Sequence, residues 1–294
     1  MPLNAKRRVA AKSRETIGKK RKWPWVLGSL SVVLAVSVYF SNYLLEISRY
    51  TIRLPRLPRA FDGLRVVLLT DWHGARFGTD NEVLLKMVRD EAPDIIAMTG
   101  DFVETEMELE GFETLCRQLA AIAPSYYVTG NHEWGGRVAR RARERAALCG
   151  VVNLDNEWVT LSRSGQSILL VGIEDLGGPF DQLTLGEVTA LARGEDDPFV
   201  LMLCHRYDRW DEFVAQEVDL VLSGHAHGGV VRLPFTDGLY GPGQVFFPKR
   251  TSGVNREGGT AMVTGRGLGS PGGIPLRLFN PPEVVSLILR TGAP

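Results

Sequence analysis

From Trp23 to Leu45 the chain carries no charged residue, and the core of that stretch, Val26 to Phe40, is apolar on every face of a helix. At roughly 1.5 Å per residue, such a helix crosses about 30 Å of hydrocarbon. Trp23 and Trp25 at one end and Tyr39 and Tyr43 at the other stand where interfacial aromatics gather. The pattern predicts a membrane-spanning helix over 23–45. A cleaved signal peptide shares the apolar run, but the basic leader is long for one and no clear small-x-small site follows.

Past this stretch the period of the pattern changes. Residues 46–62, with Pro55 and Pro58 among basic residues, read as an extended link that begins as a strand over 49–54. Short apolar runs then alternate with amphipathic ones: strand 65–70, helix 80–91, strand 94–99, helix 108–121, strand 125–129, and a helix near 137–149. Strands at 166–173, 199–204 and 220–223 follow, with helices near 185–193 and 208–216 between them, and strand-like runs at 260–264 and 284–289 lie toward the C-terminus. This alternation implies a largely parallel sheet covered by helices. The expected organisation is a basic leader (1–22), a transmembrane helix (23–45), a link (46–62) and one α/β domain (63–294).

Charge adds an orientation. The formal net charge is zero, yet residues 1–22 hold nine basic side chains against the single acid Glu15, which leaves 25 Lys and Arg against 33 Asp and Glu in the remainder. Basic flanks stay in the cytoplasm, so the expectation is a single-pass cell-membrane protein with a cytoplasmic N-terminus and its domain on the outer face. The acidic remainder argues against nucleic acid as a binding partner. Cys116, Cys149 and Cys204 share no CxxC spacing and cannot all pair, which argues against a disulfide framework or a thiolate zinc site.

The candidate chemistry lies where the apolar runs stop. Thr70-Asp71-Trp72-His73-Gly74, Thr99-Gly100-Asp101 and Thr129-Gly130-Asn131-His132-Glu133 end three of them, and Cys204-His205-Arg206 and Ser223-Gly224-His225-Ala226-His227 end two more. All five histidines of the chain fall in these clusters. In open α/β sheets, ligand sites form outside the carboxyl ends of strands, so the clusters are expected along one edge. Asp-x-His and His-x-His each put two donors on one side of an extended segment. Imidazole, carboxylate and carboxamide oxygen suit borderline ions such as Mn²⁺, Fe²⁺/Fe³⁺ or Zn²⁺.

In this order, Asp71-x-His73, Gly100-Asp101, Gly130-Asn131-His132-Glu133, His205 and Gly224-His225-x-His227 resemble the signature of the calcineurin-like metallophosphoesterases, from about Gly63 to the C-terminus. The anchored layout resembles the bacterial membrane-associated branch that includes enzymes acting on lipid-linked phosphoesters. The resemblance implies a four-layered α/β/β/α sandwich. It further implies two divalent metal ions, one on Asp71, His73, Asp101 and His227, the other on Asp101, Asn131, His205 and His225, with Asp101 bridging and His132 as the catalytic acid. Two such ions about 3.5 to 4 Å apart hold a bridging hydroxide that displaces a phosphoester in line.

Trp72 departs from the aliphatic residue usual inside the first motif and reads as a core residue; Glu104, where relatives carry Asp, is not expected to bind metal. Asp155, Glu174 and Asp175 read as solvated or supporting carboxylates, and Arg206 as either a phosphate-orienting residue or half of a structural ion pair. The expected activity is a phosphodiesterase or pyrophosphatase on a lipid-linked substrate. The competing readings are a general outer-surface phosphodiesterase acting on soluble esters or nucleotides, and a non-catalytic metal-binding scaffold. The apolar segment 230–241 either borders the site and leans toward the bilayer or forms a buried hairpin loop.

Overall fold

The computed structural model describes residues 22–180, 182–232, 236–241, 245–270 and 277–293. The basic leader therefore lies outside the described residues save for Lys22, as do residues 233–235 of the apolar segment. The chain divides into two compact units, residues 1–36 and 37–294.

The described part of the first unit is most of α1, Trp23–Tyr43, a helix long and apolar enough to cross a membrane. Two of its polar groups are satisfied within the helix: the Ser29 and Ser31 hydroxyls donate to the Trp25 and Leu27 carbonyls, four residues back. That is how hydroxyls are accommodated where water is scarce.

In the second unit the elements run β1 Glu46–Leu54, β2 Arg65–Leu69, α2 Glu82–Asp90, β3 Ile95–Thr99, α3 Leu109–Ala120, β4 Ser125–Val128, α4 Asn131–Gly135, α5 Ala139–Leu148 and β5 Val152–Asn153. Then come β6 Trp158–Arg163, β7 Gln166–Ile173, α6 Leu185–Arg193, β8 Val200–Arg206, α7 Trp210–Ala215 and β9 Leu220–Gly224. The chain continues with β10 Tyr240–Gly241, β11 Val245–Phe246, β12 Gly253–Glu257, β13 Thr260–Thr264 and β14 Glu283–Thr291.

Two six-stranded sheets result, in the orders β1-β14-β2-β3-β4-β5 and β12-β13-β9-β8-β7-β6. In the second sheet a parallel centre, β13-β9-β8-β7, is flanked by antiparallel edge pairs; in the first, β2 to β5 run parallel, β14 is antiparallel to β2, and β1 is parallel to β14.

The strands read as unbroken apolar runs because both faces are buried. In β2, Val66 and Leu68 face the second sheet while Val67 and Leu69 face α2 and α3; in β8, Leu201 and Leu203 face the first sheet while Val200 and Met202 face α6 and α7. Three apolar clusters, helix against sheet, sheet against sheet and sheet against helix, follow from this period of two. They are the three interfaces of an α/β/β/α sandwich. The helices contribute matching stripes, such as Leu109, Phe112, Leu115, Cys116 and Leu119 on α3.

The residues read as a link hold β1, a nine-residue edge strand paired in parallel with β14 from Glu46↔Glu283 to Leu54↔Thr291. The strand expected over 49–54 is thus present and begins three residues earlier, whereas the edge strands β6 and β12 lie outside the sequence reading; both are half-exposed and lack a continuous apolar run. Only two residues separate α1 from β1, and one of them, Leu45, is buried in the core. The last turn of α1 is tied down as well. Asn42 donates to the Arg277 carbonyl and accepts from the Arg277 N–H, and the Ser41 hydroxyl accepts from the Asn280 N–H.

Candidate metal centre

The parallel strands of both sheets deliver their carboxyl ends to one place. β2 ends at Asp71 and His73, β3 at Asp101, β4 at Asn131 and His132, β8 carries His205, and β9 ends before His225 and His227. Glycine permits this convergence at two points in particular. Gly100 has φ +82°, and a Cβ there would stand 2.7 Å from the Gly130 backbone and 2.8 Å from the His205 ring; one at Gly224 would stand 1.8 Å from the Thr70 hydroxyl.

Asp71, His73, Asp101 and His227 form one buried group whose donor atoms all lie within 4.8 Å of each other, and Asp101, His205 and His225 form a second. Asp101 belongs to both. In the second group the His205 Nε2 stands 3.1 Å from the Asp101 carboxylate, from the Asn131 Oδ1 and from the His225 Nδ1. In the first, the His227 Nε2 is 3.3 Å from Asp71 and the His73 Nε2 4.0 Å from Asp101. His132 borders the centre with its ring partly exposed, its Nε2 3.9 Å from Asp101. All eight residues singled out from the sequence are thus brought together.

The backbone is strained here. Asp71, His73, Asp101, His225 and His227 all have φ between +46° and +65°, the left-handed region. Such conformations cost of order 1 kcal/mol or more each outside glycine, and they collect where a site needs side chains re-aimed.

Two buried donor atoms, the His73 Nε2 and the Asp101 Oδ2, have no hydrogen bond. An unpaired buried polar atom is costly, and a cation between these groups would satisfy both. The set of oxygen and nitrogen donors fits Mn²⁺, Fe²⁺/Fe³⁺ or Zn²⁺. No thiolate joins it, since Cys204, beside His205, is buried among apolar side chains on the helix side of its sheet.

Hydrogen bonds aim the donors. His205 places its Nδ1 2.8 Å from the Thr99 carbonyl, which can only accept, so Nδ1 carries the proton and the Nε2 lone pair is free. The His225 N–H and the Thr70 hydroxyl donate to Asp71, and the His132 N–H donates to Asp101. Glu133, fully buried, accepts from the N–H groups of Asp101, Phe102, Val103 and Gly130 and from the Tyr127 hydroxyl.

Burial pushes His225 down to about 2, assisted by His205 and Arg206, and holds His227 well below its usual range, so both rings are neutral as ligands must be. At His205 burial works the same way, but Asp101 outweighs it and raises the ring to about 10, so without an ion Nε2 is protonated against Asp101, and an ion bound there would displace that proton. Burial opposes ionisation of both carboxylates: it prevails at Asp71, which is raised, whereas His205 and His73 hold Asp101 well below the carboxylate range.

Several contributors had no distinct signal in the sequence. Glu104 sits 2.6 Å from the His73 Nδ1 and 3.5 Å from the His132 Nδ1, close enough to orient both rings. Asp175, read as solvated or supporting, is buried and binds Arg206 through two contacts of 2.7 and 3.2 Å, with the Arg206 Nη1 3.3 Å from the His225 Nε2. Arg206 is thus half of an ion pair at the edge of the centre. Asp155 is buried too, accepting from the Thr129 N–H and hydroxyl behind β4. Arg277, buried, donates to the Gly269 carbonyl and reaches within 3.3 Å of His227. Trp72 packs in the core against Phe102.

Residues 64–229 match the calcineurin-like phosphoesterase family. The chain is similar to the metallophosphoesterase YkuE of Bacillus subtilis, 29% identical over 263 residues that cover 86% of this chain and 88% of that one. It is similar to the phosphodiesterase YaeI of Escherichia coli, 29% identical over 236 residues, 76% of this chain and 82% of that one. A Bos taurus transmembrane protein with metallophosphoesterase domain is 28% identical over 265 residues, 82% of this chain and 56% of that one.

Proposed function

Because the chain belongs to the calcineurin-like phosphoesterase family and is a metallophosphoesterase, we propose that it hydrolyses lipid-linked phosphodiester or pyrophosphate bonds at a centre of two divalent ions. The observation that carries this reading is the buried Asp101 carboxylate, shared by two donor groups. Asp71, His73, Asp101 and His227 hold one ion, and Asp101, Asn131, His205 and His225 the other. When bound, the ions supply a hydroxide nucleophile at neutral pH and neutralise the phosphoryl oxygens.

The protein's own groups do the rest. His132, partly exposed beside Asp101, gives a proton to the leaving oxygen, and Glu104 faces its Nδ1 and keeps the ring turned toward the substrate. Glu133 fixes the loop that carries Asp101, so the shared carboxylate is in position before substrate arrives.

The choice of a lipid-linked substrate rests on the anchor. α1 runs almost directly into β1, and Ser41 and Asn42 are hydrogen-bonded to the segment that holds Arg277 beside His227. The basic leader supports a cytoplasmic N-terminus and a domain on the outer face.

The test uses the full chain in detergent, assayed on bis(p-nitrophenyl) phosphate and p-nitrophenyl phosphate after chelation and after Mn²⁺ is returned. Diester hydrolysis should vanish with chelation, return with the metal, and be lost in Asp101→Ala. His132→Ala should cost about 10² to 10⁴ in rate, and more for an alkyl leaving group than for nitrophenolate. Folded, metal-loaded protein that turns over neither these esters nor lipid-linked ones would replace the enzyme with a metal-binding scaffold.

A further inference from the structure

Single apolar side chains on a protein surface need no explanation, but a contiguous run of them does. Outside α1, the described surface shows one such run, Val245, Phe246 and Phe247, which are 51%, 70% and 71% exposed. Val245 and Phe246 form β11, which pairs antiparallel with β10, and Phe247 follows it directly. Phe247 holds φ +53°, a conformation that bulky side chains adopt only under constraint. The fold therefore accepts backbone strain to keep this tip turned outward.

The tip borders the metal centre. A cavity of about 250 Å³ is lined by His225, Tyr207, Val245, Lys249 and Arg250, among others. A second exposed apolar pair stands on another loop near the centre. Leu176 and Phe180 follow Asp175, which binds Arg206 beside His225, and Gly177 between them lies against Trp134 and Asn131. On the other side of the centre, a cavity of about 200 Å³ is lined by His73 together with Asn42 and Tyr43 from the end of α1. Exposed apolar side chains thus flank the centre on both of its approaches.

We propose that the Val245–Phe247 tip docks into the interfacial layer of the bilayer that anchors α1, so that the opening beside His225 faces lipid headgroups. A bilayer fits this surface better than a protein partner for two reasons. The aromatic tip is followed at once by Lys249 and Arg250, the order in which an interfacial segment meets acyl chains and then headgroups. Asp208 and Asp211 face the same cavity and Glu257 lies 3.9 Å from Arg250, so the basic pair is partly offset and apolar insertion carries the contact. Second, the anchor already holds the domain at the membrane, so a shallow insertion too weak to bind on its own is sufficient.

This inference does not depend on the hydrolytic reading, and its test does not measure hydrolysis. The full chain, carrying Cys149→Ser to remove the partly exposed native thiol, is spin-labelled at Phe246→Cys and, separately, at Val245→Cys. Leu148→Cys, on the exposed end of α5, is the control. Each is placed in vesicles of dioleoylphosphatidylcholine and dioleoylphosphatidylglycerol. Labels at 245 and 246 should collide several-fold less with a water-soluble nickel chelate, and more with oxygen, than the label at 148. Equal collision at all three positions would overturn the proposal. So would protection that appears in detergent without a bilayer and grows with protein concentration, because the tip would then be a contact between copies of the chain.

Discussion

The two sheets contribute to the centre in different ways. The ends of β2, β3 and β4 bring both carboxylates, Asp71 and Asp101, together with His73, Asn131 and His132; the ends of β8 and β9 bring only imidazoles, His205, His225 and His227. The carboxylate half is held by backbone. Glu133 gathers four main-chain N–H groups around the Asp101 loop, and Asp71 accepts from the His225 N–H across the sheets. The imidazole half is held by side chains and single carbonyls, Thr99 behind His205, Arg206 and Asp175 behind His225, and Arg277 behind His227. Two buried like charges need preorganised donors to stay ionised side by side, whereas neutral rings need only a chosen tautomer and an angle.

The most severe way to break this arrangement is Glu133→Gln. Its carboxylate accepts five donors, two on one oxygen and three on the other. A carboxamide has one acceptor, so at least two donors would face its NH₂ group. At about 1 to 3 kcal/mol for each buried group left unsatisfied, the variant should lose about 3 kcal/mol or more. Thermal unfolding in detergent would show a large fall in Tm, and Mn²⁺ binding should weaken with it. A variant with unchanged Tm would mean that the Asp101 loop holds its shape without Glu133.

Glu104→Ala should leave folding nearly intact and act on the carboxylate half alone. Partners that orient ligating histidines are typically worth about 10- to 100-fold in metal affinity or rate. Glu104 faces both His73 and His132, so binding of the first ion and the rate at saturating metal should both fall. Calorimetric Mn²⁺ titration together with kcat separates the two losses. Wild-type values for both would reduce Glu104 to a surface acid.

Glu104 also marks where the sequence stopped being legible. The strand ends could be read because apolar runs terminate at Asp, Asn, His and Gly, and the parallel core of each sheet follows from the alternation of strands and helices, whereas the two-sheet sandwich came from the family resemblance. An acid three residues past Asp101 looks like any solvated loop residue, and its closeness to His73 and His132 exists only once β2, β3 and β4 are side by side. The pairing of β1 with β14 was hidden for the same reason: its partners lie more than two hundred residues apart, and basic residues with nearby prolines resemble a linker locally. Arg277 and Asp175 are likewise ordinary in sequence and gain their roles from segments far along the chain. Local pattern showed which residues carry the chemistry; most of the residues that aim them are set by long-range packing.

The smallest expected effect falls on the imidazole half. With an ion on the His225 Nδ1, the neutral ring carries its proton on Nε2, and the Arg206 guanidinium 3.3 Å away has only N–H groups to present to it. Asp175 draws that guanidinium toward itself through two contacts and limits the conflict. In Asp175→Asn the pull weakens, and Arg206, about a quarter exposed, is partly satisfied by water instead. The loss should be no more than about tenfold, at the low end for partners that orient metal ligands. It should appear in the second ion's affinity and not the first's, the reverse of Glu104→Ala. Stepwise Mn²⁺ titration of the two variants reads this directly. If both weakened the same ion, the two halves would be a single cooperative unit, and the division between a backbone-held and a side-chain-held half would describe geometry without energetic meaning.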